Sequence, residues 1–119
     1  MDFSHSFDSK GLARLRKLGG PDFVCQMIDL FLEEAPERLA AARSAASAGN
    51  LIAVSDAAHS LKSSALNFGA TALGGIAGKI ELQTRANQGQ NVPELLSEME
   101  DAYAATIVWL KNERDALKL

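Results

Sequence analysis

The side chains best suited to chemistry in this sequence sit close together: His59, with Lys62 and Ser63 three and four residues later and Asp56 three residues before. At helical spacing those intervals place all four on one patch of surface. A solvent-facing neutral imidazole is a nucleophile near neutral pH, because its unperturbed pKa is ~6.5. Hydrolysis would also require a base, an orienting carboxylate and oxyanion donors, and only Asp56 is near, on the same helix. A metal site would need more ligands, since Asp56-x-x-His59 is a single half-motif and a di-iron bundle uses it twice with inward glutamates. What remains is a group carrier, in which His59 takes up a phosphoryl group and passes it on. Lys62 can then bring its ammonium to the phosphoryl oxygens, and Ser63 can donate a hydrogen bond.

Composition narrows the setting. The 119 residues suit one domain, able to bury a core without disulfide or metal staples, and 47% apolar residues argue against disorder. Twelve Lys and Arg against fifteen Asp and Glu leave a net charge of −3 without a basic block, which argues against nucleic acid as a partner. The opening MDFSHSFDSK lacks a signal-peptide layout, and no run approaches the ~20 apolar residues that span a bilayer. A cytoplasmic protein without membrane contact is expected. Cys25 is the single cysteine and reads as a small hydrophobe in a reducing compartment.

The elements that must carry these residues are helices. β-Branched residues are scattered, while Ala, Leu, Glu, Lys and Arg dominate. Residues 1–7, with His5, read as a flexible tail without a role. Asp8 or Ser9 caps a short helix through Leu12, Leu15 and Leu18 that stops at Gly19-Gly20. Pro21 starts a long helix whose core face is Val24, Met27, Ile28, Phe31, Ala35, Leu39, Ala42 and Ala46. The register continues past Pro36, so one kinked helix is expected there. Asn50 caps the next helix, which Gly69 stops in a turn. Ala70 or Thr71 opens another to about Asn87, and Pro93 begins the last, with Leu96, Met99, Tyr103, Thr106, Leu110 and Leu117 inward. Trp109 and Ile107 cover the edge of that stripe. The expected fold is all-α, an antiparallel four-helix bundle capped at one end by the short N-terminal helix, as a single domain over 1–119.

On the helix from residue 51, Val54, Ala57, Ala58, Leu61, Ala65 and Phe68 share one arc, and His59 points about 140° away from its centre. The imidazole is therefore expected in solvent, among Ser55, Asp56, Lys62 and Ser63, with the apolar Ile52 and Leu66 two turns off in either direction. On the next helix Gly74, Gly75 and Gly78 fall on the outer side, each costing ~1 kcal/mol relative to alanine. A bare helix face there would let a partner backbone come close to His59. Ile52, Ser55, Asp56, Leu66, Gly74, Gly75 and Gly78 thus form the expected docking face. GGIAGK is no phosphate loop: its glycines are separated by three residues instead of four, Ile80 follows Lys79, and no strand precedes it.

These residues carry a resemblance. His59-Ser-Leu61-Lys62-Ser63-Ser64-Ala65, followed by Asn67-Phe-Gly69-Ala70, Leu73 and Glu81, resembles the histidine-containing phosphotransfer (HPt) domain, with its pattern H-x-L-K-G-x-(A/S)-x-x-x-G-A. The resemblance implies that His59 accepts a phosphoryl group from a receiver-domain phospho-aspartate and donates it to another receiver, of a response regulator or hybrid histidine kinase. It implies that Lys62 stabilises phosphoryl charge and that Gly69 makes the turn beneath the site. It implies that Mg²⁺ and the acidic pocket belong to the receiver, so that this chain needs no cofactor. Ser63 departs from the pattern, standing where the family has glycine. The expected protein is a monomeric carrier without kinase activity. Two alternatives remain: a helical adaptor using the same face without phosphorylation, and a module of a larger hybrid or chemotaxis-type kinase.

Overall fold

The computed structural model describes residues 6–118 as four helices: α1 (Lys10–Ser47), α2 (Leu51–Phe68), α3 (Thr71–Arg85) and α4 (Val92–Leu117). His5 lies outside the described residues. Each helix packs against its neighbours in sequence, and α4 closes the ring on α1. The core is filled from all four by Ile28, Leu61, Leu73, Ile80, Met99 and Leu110, all fully buried.

α1 is the short and the long expected helix joined at a kink. Gly20 there has φ 82° and ψ 179°, outside helical geometry and open to a residue without Cβ. Asp8 accepts from the Lys10 N–H at 3.0 Å, whereas Ser9 makes no side-chain cap. Leu12 and Leu15 are buried, but Leu18 is exposed, because the arm ends before its third leucine reaches the core. Beyond Gly20 the helix runs through Pro36 with helical backbone angles, and Val24, Ile28, Phe31, Ala35, Leu39 and Ala42 stay buried in one register. Proline removes its own N–H, and burial of this stripe on both sides offsets the lost bond.

The turn after α2 is built as its sequence suggests. Asn50 caps the helix start, accepting from the Ala53 N–H at 3.1 Å. At the other end Gly69 is left-handed, φ 90°. Its N–H donates to the Leu66 carbonyl and that of Ala70 to the Ala65 carbonyl, closing a Schellman motif.

Ser6 and Phe7 depart from the expected tail. The Ser6 carbonyl accepts from the Thr71 N–H at 2.8 Å and from its hydroxyl at 2.9 Å, and the Asp8 N–H donates to the Gly69 carbonyl at 2.7 Å. Phe7 stacks on Trp109 at 4.6 Å, so this strap joins the α2–α3 turn to α4. The unpaired carbonyls and amides of a helix turn and a nearby apolar ring supply its partners.

Candidate functional site

α2 and α3 form a helical hairpin whose cross-pairs are symmetric about Ala70. A Cβ on Gly74 would fall 2.5 Å from Leu66 Cδ2, and one on Gly78 would fall 3.3 Å from Lys62 Cδ. His59 meets Glu81 in the same series. The three pairs lie four, eight and eleven residues on either side of Ala70. Small residues on α3 therefore receive the long side chains of α2, and the two backbones approach closely enough for a glutamate to reach the histidine.

This overturns part of the expected docking face. Gly74 is buried under Leu66, and Gly78 is half-buried under the methylene stem of Lys62; only Gly75 is bare surface. Ser55 is buried as well, at the edge of the α2 core face, because it follows Val54 and lies one turn before Ala58. Ile52, at 78% exposed, together with Asp56, Ser63 and the half-exposed Leu66, lies at the surface as expected.

At the His59 rung the chemistry is explicit. The imidazole is 53% exposed, and its Nδ1 lies 2.6 Å from Glu81 Oε2. Lys62 donates its ammonium to Glu81 Oε1 at 2.5 Å, and Arg85 lies 2.8 Å from Oε2. Glu81 is itself only 5% exposed. An unpaired carboxylate at such depth would be strongly destabilising, and these partners compensate it. The Lys62 hydrogen bond, with smaller contributions from His59 and Arg85, holds the Glu81 carboxyl below the usual carboxylate range against the opposing effect of burial. Because Glu81 stays ionised it can only accept, so the proton of the His59–Glu81 bond sits on Nδ1. In the neutral ring the lone pair then lies at Nε2.

Lys62 does not stand free beside the histidine, as its position in the sequence suggests; its ammonium is committed to Glu81. Ser63 is exposed and makes no side-chain bond among the described residues, and Gly69 makes the turn assigned to it. Glu81 is the site residue that sequence reasoning matched to a pattern without giving it a task. Counting outward from the turn residue Ala70 would have found it, since position 81 is the mirror of position 59. Among the described residues, no three His, Cys, Asp or Glu side chains gather in a metal-binding group.

A family model described as Hpt domain matches residues 26–109. The chain belongs to the Hpt domain family. The phosphorelay protein LuxU of Vibrio vulnificus, in strains YJ016 and CMCP6, is 32% identical over 111 residues, covering 88% of this chain and 95% of its own. The crystal structure of histidine-containing phosphotransfer protein B, HptB, from Pseudomonas aeruginosa PAO1 matches with a TM-score of 0.89 at 29% identity. That match covers 95% of this chain and 97% of that one. The function of this Hpt domain is histidine phosphotransfer between receiver domains. No described helix is long and apolar enough to cross a membrane.

Proposed function

We propose that Nε2 of His59 carries the phosphoryl group, taken from the phospho-aspartate of one receiver domain and delivered to the aspartate of another. The observation that supports this reading is that Glu81 occupies Nδ1 at 2.6 Å while the ring remains half exposed. In the accepting step the Nε2 lone pair attacks phosphorus opposite the acyl-phosphate oxygen. The N–P bond forms, the O–P bond breaks, and its electron pair leaves on the aspartate carboxylate. The ring becomes cationic with its proton still on Nδ1, where the Glu81 carboxylate offsets the charge. Donation runs through the same arrangement in reverse.

Lys62, one turn from His59, is placed to exchange part of its bond with Glu81 for the phosphoryl oxygens, and the Ser63 hydroxyl can donate a further hydrogen bond. Mg²⁺ and the acidic pocket belong to the receiver, of a response regulator or a hybrid histidine kinase. This chain acts in the cytoplasm as a monomeric carrier without kinase activity. The receiver docks over Ile52, Asp56, Leu66 and Gly75.

The test is transfer of label from a phosphorylated receiver. The wild-type chain should gain acid-labile, base-stable phosphate, and His59→Gln should gain none while keeping its helical circular dichroism. Undiminished label on His59→Gln would overturn the assignment.

A further inference from the structure

Arg85 has no part in the transfer as described, yet its guanidinium lies 2.8 Å from Glu81 Oε2, the same oxygen that faces His59 Nδ1. Lys62 takes the other oxygen. One buried carboxylate thus serves an imidazole and two permanent neighbours of opposite charge.

The imidazole makes two conflicting demands on that carboxylate. As the N–P bond forms, the ring gains positive charge and a nearby anion stabilises it. Before attack, however, an anion within ~4–6 Å of a histidine favours its doubly protonated form. That form has no lone pair on Nε2 and cannot attack phosphorus. A bare glutamate at 2.6 Å would therefore help the product and deplete the nucleophile.

The charged groups around the ring are few. On its own helix they are Asp56, one turn before, and Lys62, one turn after; on α3 they are Glu81 and Arg85. Charged groups of α1 and α4 that form ion pairs do so with one another or along their own helix: Arg43 with Glu100, Arg114 with Asp29, Arg38 with Glu34. Asp56, exposed and without an ion pair among the described residues, adds to the pull on a second proton. Lys62 is drawn toward the phosphoryl oxygens during transfer, so it is an unsteady counterweight. Arg85 is charged at every relevant pH and binds the oxygen nearest the ring.

We infer that Arg85 is a positioning residue for phosphotransfer: by sharing Glu81 Oε2 it keeps a second proton off His59 Nε2 while leaving the Nδ1–H bond intact. The inference rests on His59 being the acceptor. It gives the α3 sequence Glu81-x-x-x-Arg85 a joint task, with the arginine one turn beyond the carboxylate it moderates. The side chain of Arg85 is 65% exposed, so solvent and salt weaken its influence and the effect is graded.

The test uses phosphoramidate as donor, so that no receiver is needed. Its P–N bond breaks as the His59 N–P bond forms, and ammonia leaves. Labelling rates of the wild type, Arg85→Gln and Arg85→Lys are compared at low salt from about pH 5.5 to about pH 8.5. Arg85→Gln should be about threefold slower near the acid end, no slower than the wild type at the alkaline end, and restored by Arg85→Lys. High salt should shrink the difference. A loss of equal size at every pH, no loss at all, or failure of lysine to restore the acid limb would overturn the inference. Label on His59→Gln under these conditions would instead overturn the acceptor assignment beneath it.

Discussion

The two halves of the bundle handle charge in opposite ways. Along α1 and α4 each ion pair keeps its carboxylate in solvent: Arg43 reaches Glu100 at 2.6 Å, and the largely buried Arg114 reaches out to the exposed Asp29. Between α2 and α3 the carboxylate is inside, and three groups come to it. The cause is backbone approach. Gly74 and Gly78 let α2 side chains lie across α3, which draws Glu81 under His59; among the described residues no glycine receives a side chain between α1 and α4 in this way. Rim pairs hold helices together at little cost and little gain. The buried carboxylate is a poor device for stability and a good one for fixing a tautomer, which is the difference between scaffold and site.

The comparison breaks most readily at the α2–α3 turn. Gly69 has φ 90°, and a Cβ there would lie 1.9 Å from the Asp8 carbonyl oxygen, a backbone atom that cannot rotate aside. Gly69→Ala is expected to lower stability by about 2–4 kcal/mol in urea unfolding, through left-handed strain and displacement of the strap. A loss below about 0.5 kcal/mol would show that the strap is not a fixed part of this half.

Glu81 gives a smaller effect, of defined sign. Its carboxyl is held below the usual range when folded, so its stabilisation is present above the unfolded value and disappears as pH falls through the folded one. Melting temperature should therefore drop more steeply below about pH 5 in the wild type than in Glu81→Gln, which cannot titrate. Glu100→Gln, which removes a carboxylate that solvent touches at the rim, is the control. Parallel curves for all three proteins would remove the distinction between the buried and the exposed carboxylate.

Much of this arrangement was legible in the sequence. Helix ends at Asn50 and Gly69, the break at Gly19-Gly20 and the inward stripes follow from capping chemistry and periodicity, which are local. The exposure of His59 followed from the same wheel. What a single-helix wheel cannot show is which flank of a helix meets its neighbour. Gly74 and Gly78 lie away from the centre of the α3 core arc, so they read as open surface, although that flank faces α2. Ser55 was misplaced for the same reason, and Lys62 appeared free because its partner lies 19 residues away on another helix. The strap of Ser6 and Phe7 is beyond periodic reasoning altogether, since its partners are a turn and a distant tryptophan.

The smallest effect is expected at Arg43, and it is the control for the whole comparison. Arg43 donates to Glu100 and to Ser97, tying α1 to α4, but its side chain is 38% exposed and that of Glu100 is 43% exposed. Water replaces most of what such a pair provides, and the ordered side chains lose rotamer freedom in making it. Arg43→Ala should therefore lower stability by only about 0.5 kcal/mol and leave the rate of His59 labelling unchanged. A loss beyond about 2 kcal/mol would mean that the α1–α4 seam depends on its rim charges as the site depends on Glu81, and the two halves would no longer differ in kind.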